Sequence, residues 1–339
     1  MDDQSLINNY FKGKMILVTG GTGSIGQRIV STLLKCEPRK IIILNKDDSK
    51  QYLMKQNYVN CPNVSFLLGD IRDYDCVEYA TRGIDIVFHA AALKQVPICE
   101  EHPFEAVKTN VIGSENVVKA SIFNKVKKVI NVSTDKAVNP TNTLGVTKLL
   151  SEKIFYNANL SLNNNETIFC SVRFGNVINS RGSVIPLFID QAKSGKAITV
   201  TDPKMTRFIM SISDAAKLTL KSAFYSKGGE TFIFKMQSLE ILKLAKTIKE
   251  YYKKKGINTP PIKSIGKRSG EKLCEELIWV HEKERVVEDK ELYVVLPEDV
   301  SSFYHFTKTS MPIFRSDQIE PIDQREIIKL LDGYESKSR

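Results

Sequence analysis

The sequence holds little of what a metal-bound, disulfide-stapled or membrane-spanning protein needs. Its six cysteines, at positions 36, 61, 76, 99, 170 and 274, are never closer than fifteen residues. That spacing excludes a CxxC pair, a zinc knuckle and a small-domain disulfide framework, so they read as reduced thiols. The four histidines, His89, His102, His281 and His305, show no metal-ligand spacing, and HEKER at His281 lacks the second histidine of a zinc-protease helix. No apolar run approaches the roughly eighteen residues of a membrane span, and the N-terminal MDDQSLINNYFKGK is acidic and then polar. Internal repeats and low-complexity segments are also missing. A cytoplasmic enzyme without a metal is the expectation.

What is present is an ordinary globular composition. Hydrophobic residues at 42% and charged residues at 26% exclude disordered, collagen-like and membrane classes. The 339 residues suit two globular units at about 150 residues each. The 49 Lys and Arg against 39 Asp and Glu, a net charge of +10, call for an anionic partner. Charge alone does not separate nucleic acid from a phosphorylated small molecule.

Short β-branched runs alternate with amphipathic stretches through the first half: MILVT (15–19), IIIL (41–44), VSFLLGD (64–70), IDIVFHA (84–90), KVINVS (128–133) and IFCSVR (168–173). They are too apolar to alternate in and out, as strands covered on both faces must be. Helical patterns over 25–34 and 111–123 lie between them, so the class is α/β with a Rossmann-like, doubly wound parallel sheet. After Arg173 the rhythm changes, with GNVINSRGSVIP (175–186), TDPKMTRF (201–208) and helices near 213–225 and 239–253. A basic, proline-containing piece from Lys253 to Lys272 is expected at a cleft edge or surface, its lysine run a solvated helix end.

TGGTGSIG (Thr19 to Gly26) follows the first strand and opens into a helix. Gly20, Gly23 and Gly26 allow a tight turn, close approach of backbone to a pyrophosphate and close helix packing, with the helix N-terminus supplying positive potential. Asp47, twenty-one residues after Gly26, stands where an acid binds the adenosine ribose, while Lys46 beside it would neutralise a 2′-phosphate and so favours NADP over NAD. Asp70 either hydrogen-bonds adenine or caps the following helix. The fifth strand delivers NVSTDK, whose Thr134, Asp135 and Lys136 form either a proton relay or a strand-end surface pair; Lys148 follows twelve residues later.

TGGTGSIG, HAAALKQVP, KTNVIGSENV, STDKAVNPTN, VRFGNVINSRGSVIPLF, TDPKMTRF and RSGEKLCEEL, in this order over about residues 10–285, resemble the UDP-N-acetylglucosamine 4,6-dehydratases of the extended short-chain dehydrogenases. That branch serves flagellin glycosylation, capsule and O-antigen synthesis. Some members carry N-terminal membrane helices, and the resemblance here is to their soluble catalytic part. It implies tightly held NADP, a UDP-sugar substrate, no nucleic acid and a homo-oligomer. The implied reaction oxidises sugar C4, eliminates water across C5 and C6, and returns the hydride to C6. It also implies Lys136 as C5 base, Asp135 as C6 acid, Thr134 orienting the C4 hydroxyl, and Lys148 on the nicotinamide ribose. Lys136 must be neutral to act as a base, and Lys148 and the oxidised nicotinamide are expected to lower its pKa. The family's usual tyrosine, four residues before that lysine, is Leu144 here. Either Thr134 with Asp135 then carries the C4 proton, directly or through water, or the protein is catalytically impaired.

The resemblance further assigns Thr19, Gly20, Gly23, Ser24, Ile25, Gly26, Lys46, Asp47, Asp70, Ala90 and Lys148 to the cofactor. Lys94 is placed beside the substrate or left as a solvated loop lysine, and Asn110 is a structural link or a helix cap. Asn176 and Arg181 bind phosphate or the acetamido group, Pro186, Leu187 and Phe188 wall the uracil, and Thr199 lines the same site. Arg207 and Arg268 pair with the pyrophosphate, and Glu271 accepts from the uridine ribose. A dinucleotide and a UDP-sugar together account for the positive charge. The dinucleotide-binding part is expected over 1–175 with a return from about 205–250, and the nucleotide-sugar part over 176–204 and 251–339. GSIG and the leucine favour retention at C5. A C5-inverting dehydratase, a UDP-sugar 4-epimerase and a non-catalytic nucleotide-binding protein remain as alternatives.

Overall fold

Each of the six apolar runs forms a strand: β1 (Met15–Thr19), β2 (Lys40–Asn45), β3 (Val64–Leu68), β4 (Ile86–His89), β5 (Lys128–Val132) and β6 (Ile168–Arg173). The computed structural model describes residues 3–164, 166–178, 180, 182–300, 303–309 and 314–336. β1 pairs in parallel with both β2 and β4, β2 with β3, β4 with β5, and β5 with β6. The sheet is therefore wound outward in both directions from β1, and the carboxyl ends of its strands share one edge.

Helices cover both faces. The polar N-terminus, where no element is expected from the residue pattern, forms α1 (Asp3–Phe11), and its Ile7 and Phe11 enter the core. α2 (Ser24–Leu33) buries Ile29, Val30 and Leu33. α3 (Asp48–Gln56) and α4 (Tyr74–Thr81) start at Asp47 and Asp73, whose carboxylates accept first-turn backbone N–H groups. Short α5 (Val96–Glu101) and α6 (Pro103–Val107) lead to a π-helical turn, Lys108–Ile112, and then to α7 (Gly113–Phe123). The predicted helix from 111 thus begins one wide turn early. α8 (Thr143–Ala158) is capped by Asn142, which accepts from Gly145 N at 2.8 Å.

Beyond β6 the chain makes a second layer. β7 (Asn176–Val177), β9 (Thr206–Met210) and β11 (Gln237–Glu240) form a small sheet, and β8 (Thr199–Val200) pairs with β12 (Lys263–Ser264). α9 (Val184–Lys193), α11 (Ile241–Lys254) and α12 (Gln324–Glu335) close a separate core around Phe188, Leu244, Ile248 and Leu331. α10 (Ile212–Tyr225) packs on α2, and β10 (Thr231–Phe234) rejoins the main sheet beside β6. β13 (Val286–Glu288), β14 (Leu292–Val295) and β15 (Thr307–Lys308) extend it by antiparallel pairing, to ten strands among the described residues.

Two segments lie differently from expectation. α11, expected with the dinucleotide half, packs in the second core, because its buried Leu244, Ala245 and Ile248 face α9 and α12. β13 to β15, expected with the sugar half, belong to the main sheet, because Val286, Leu292 and Val294 complete its hydrophobic face. The 253–272 piece is largely exposed, as expected. All six cysteines are free, and no helix among the described residues is long and apolar enough to cross a membrane.

Candidate active site

The phosphate loop is built by exclusion of side chains. Gly20 has φ of +66°, and a β-carbon there would sit 2.6 Å from Ala91 N in the loop after β4. At Gly26 it would sit 2.5 Å from Gly20 O and 2.6 Å from Gly21 Cα, so only glycine lets α2 start this close beneath the turn. The N-terminus of α2 has Gly23 at its cap, no side-chain cap bond and no acid in its first turn. This combination fits a dinucleotide pyrophosphate: uncapped amides, positive dipole and no competing negative charge. Ala90 N binds Thr19 O at 3.1 Å, tying the β1 and β4 ends together, and Ser24 and Ile25 open the helix.

The acids beyond the loop have protein partners. Asp47 caps α3 by accepting from Lys50 N at 2.9 Å and pairs with Lys50 Nζ. Asp70 accepts from Arg72 N at 3.1 Å and Arg72 Nε at 2.8 Å, with Lys46 Nζ 3.7 Å away. These cations hold its carboxyl below the usual range despite the opposing effect of partial burial. Asp70 caps no helix, since Asp73 takes that position.

A chain of buried polar groups runs beneath the strand ends. Thr19 Oγ1 lies 2.8 Å from His89 Nδ1, His89 Nε2 lies 3.2 Å from Ser114 Oγ, and Ser114 Oγ lies 2.9 Å from Ser151 Oγ. Ser151 Oγ donates to Asn131 Oδ1 at 3.4 Å, which also accepts from Lys148 Nζ at 3.4 Å. Burial, with the nearby Lys148 charge, pushes the His89 pKa down to about 3, so the imidazole is neutral. Burial also lowers Lys148 to about 8, against a small opposite effect of Glu152. Asn110, on the π turn, clamps Leu93 by accepting from its N at 2.8 Å and donating to its O at 3.1 Å, and donates to Thr147 Oγ1 at 3.1 Å. It is a structural link and caps nothing.

A buried charged cluster forms at the end of β5. Asp135, wholly buried, accepts from Thr134 Oγ1 at 2.8 Å and Lys136 Nζ at 3.0 Å on the same oxygen, Oδ1, while Oδ2 is buried with no partner among the described residues. Lys136 Nζ also lies 3.4 Å from Glu275 Oε1, and Arg207 Nε lies 3.7 Å from that oxygen. The expected lowering of the Lys136 pKa is therefore corrected. Burial does push it down, but the charges of Asp135 and Glu275 outweigh burial and raise it, leaving an ammonium. The expected neighbour Lys148 is bonded to Asn131 instead. Glu275 was not singled out from the sequence; it lies within RSGEKLCEEL, but nothing there distinguishes it from Glu276.

Leu144 is buried against Cys99 and Ala106. The position of the family's phenol is thus an apolar contact. Gly145, next to it, meets the turn after β5 so closely that a β-carbon would collide with the Lys136 carbonyl oxygen.

The residues expected at the substrate lie on several separate elements. Arg207 is buried on β9 and its guanidinium also donates to Thr206 O at 2.7 Å, so its partners here are protein groups. Asn176 sits on β7, paired with β9. Lys94 is exposed on the loop after β4, and Gly182 backs onto its neighbour: a β-carbon there would lie 2.5 Å from Gln95 Nε2. Arg181 lies outside the described residues. Pro186 is half-buried in the first turn of α9, and Leu187 is exposed. Phe188 is 2% exposed within the second core, so it cannot wall a ligand, which corrects that expectation. Thr199 Oγ1 accepts from Gln191 Nε2 at 2.9 Å. Arg268 is exposed, and its backbone N donates to Glu271 Oε2 at 3.1 Å. This loop docks on the turn 138–142: Gly270 O accepts from Thr141 Oγ1 at 2.8 Å and Asn142 Nδ2 at 3.0 Å, and Lys272 Nζ donates to Val138 O at 2.6 Å.

The winding, the glycine loop and the polar cluster at the strand ends define an α/β protein with the extended short-chain dehydrogenase fold. The chain belongs to the polysaccharide biosynthesis protein family, whose pattern matches residues 16–297. An uncharacterised membrane protein of Methanocaldococcus jannaschii is 46% identical over 331 residues, covering 96% of this chain and 97% of the relative. A UDP-glucose 4-epimerase of Rickettsia akari is 46% identical over 272 residues, covering 79% and 78%. The crystal structure of Pen from Bacillus thuringiensis superposes with a TM-score of 0.90 at 40% identity, covering 96% of this chain and 98% of that one.

Proposed function

We propose that the protein is a nucleotide-sugar 4,6-dehydratase that uses NADP and converts UDP-N-acetylglucosamine to a UDP-2-acetamido-2,6-dideoxy-4-keto-hexose, with retention at C5. The carrying observation is the Thr134–Asp135–Lys136 cluster at the end of β5 beside an apolar Leu144. A simple epimerase or ketoreductase would put its central proton transfer on a phenol at that position.

Gly20, Gly23, Gly26 and the first turn of α2 would hold the pyrophosphate, Lys46 the 2′-phosphate, and Lys148 the nicotinamide ribose. Bound there, NADP would supply a hydride acceptor and donor for the sugar. Thr134, hydrogen-bonded to Asp135, orients the C4 hydroxyl and passes its proton on to water, so that Asp135 stays a carboxylate for the next step. Lys136 and Asp135 then act as one unit. Passing one proton across their 3.0 Å hydrogen bond converts ammonium and carboxylate into amine and carboxylic acid. The amine removes the C5 proton made acidic by the C4 ketone, the acid protonates the departing C6 hydroxyl, and water leaves. Arg207, Arg268, Glu271, Asn176 and Lys94 are assigned to the nucleotide sugar, and the second core around α9, α11 and α12 to its binding unit.

The test is incubation with UDP-N-acetylglucosamine in deuterated water followed by NMR. A 6-deoxy-4-keto product carrying deuterium at C5 is expected, with ring couplings of the retained configuration. Lys136→Ala should keep UDP-sugar binding by calorimetry and lower turnover by about 10²–10⁴-fold; undiminished turnover would remove the lysine from the chemistry. A second reading, a UDP-sugar 4-epimerase, is favoured by the names of the Rickettsia relatives. It predicts a product isomeric with the substrate instead of one lighter by water.

A further inference from the structure

Glu275 and Glu276 adjoin in the sequence but face different surroundings. Glu276 reaches Asn139, half-buried at the surface. Glu275 is 2% exposed and points its carboxylate into the reacting cluster, with Oε1 3.4 Å from Lys136 Nζ and 3.7 Å from Arg207 Nε. Its backbone is pinned on both sides: Glu275 N donates to Ser316 Oγ at 3.0 Å and Ser316 N donates to Glu275 O at 2.9 Å. The same Ser316 hydroxyl lies 2.8 Å from Thr206 Oγ1 on β9, next to Arg207. The carboxylate is thus delivered to Lys136 from a part of the chain remote from β5, on a fixed strut.

Glu275 Oε2 and Asp135 Oδ2 are both buried with no partner among the described residues. An unmatched buried carboxylate oxygen is costly, and a side chain kept only for packing has no reason to bear it. Three charged groups face the lysine: Asp135 from the strand-end turn, Glu275 from the C-terminal segment, and Arg207 from β9 behind Glu275.

We infer that Glu275 is a positioning residue of the reaction centre, holding the Lys136 ammonium against Asp135 and governing when that lysine gives up its proton. What the proton is used for rests on the dehydratase reading; the ion pair itself does not. A carboxylate at this distance stabilises the charged amine, so the transfer to Asp135 is held back in the resting protein. Removing the charge while keeping the shape should release it.

The experiment uses the full chain labelled with ¹³Cε,¹⁵Nζ-lysine, the Lys136 signal being assigned by its loss in Lys136→Arg. In Glu275→Gln the Lys136 titration midpoint is expected to fall by about one pH unit or more, while Glu276→Gln leaves it in place. With UDP-N-acetylglucosamine, the pH limb of kcat in Glu275→Gln should move down with the midpoint while KM is held. An unmoved midpoint, or an equal fall in Glu276→Gln, overturns the inference. If Glu275→Gln does not fold, Glu275→Asp, which retracts the charge, is expected to give part of the same fall, and no fall there also overturns it. Should the wild type yield only epimer or unchanged sugar while the midpoint still falls, the dehydratase reading fails and the positioning role stands.

Discussion

Lys136 and Lys148 share one site and are perturbed in opposite directions. Lys148 is buried without a carboxylate in contact, so its pKa falls to about 8 from the ordinary 10.5. Below about 8 the folded protein carries a buried ammonium at a cost of roughly 3 kcal/mol. Between 8 and 10.5 the unfolded chain binds more protons than the folded one, so this group makes stability rise with pH across that window. Lys136 is the reverse. Its pKa is raised, so its contribution is complete below 10.5 and is lost as pH climbs through the raised value. Urea midpoints measured from pH 7 to 10.5 should therefore rise less steeply in Lys148→Met than in the wild type. Parallel curves would show that the Lys148 ammonium is solvated.

At the scale of elements, α8 carries the site and is held from three sides. Its Gly145 lies against the Lys136 carbonyl, its Lys148 joins Asn131 of β5, and its Glu152 joins a buried ion network. In that network Arg173 of β6 donates from Nη2 to Glu152 Oε2 at 2.7 Å, and from Nη1 to Glu282 Oε2 and Leu277 O, each at 2.8 Å. Burial opposes the guanidinium charge, but the two carboxylates dominate and raise its proton affinity further. Arg173 thereby fastens α8 and β6 to the segment that bears Glu275. Arg173→Met leaves two buried carboxylates without a cation and is expected to cost about 3–5 kcal/mol in urea unfolding. A loss below 1 kcal/mol would mean that water reaches the network.

At the scale of the molecule, the loop 268–272 rests on the turn 138–142 that follows β5, which ties the C-terminal segment to the main sheet's strand ends. The outer surface carries a further feature. Phe104 is 79% exposed on α6, with Val107 beside it and Ile112, Val146 and Leu150 exposed on the adjoining π turn and α8. Clustered apolar exposure on neighbouring helices supports the homo-oligomer that the family resemblance implies. Sedimentation should give an assembly heavier than the 38.3 kDa chain, and Phe104→Glu should shift it toward the monomer. A wild-type monomer at high micromolar concentration would set the oligomer aside.

The parallel sheet, the phosphate loop and the Thr134–Lys136 turn were legible in the sequence because each depends on residues close together: apolar runs, a glycine spacing, a strand end. Lys148 was readable for the same reason, twelve positions from Lys136 on the next helix. The charge state of Lys136 was only half readable, because the charge of the adjacent Asp135 is joined by that of Glu275, which the packing of Ser316 against β9 brings to that strand. The burial of Phe188 and the capping role of Asp47 were not readable, since a side chain's partners follow from which elements meet. Sequence by itself determined the elements and the chemical groups available at the sheet edge. Tertiary structure decided which groups face one another, because the electrostatics of a buried charge depends on distances between segments that the order of residues does not encode.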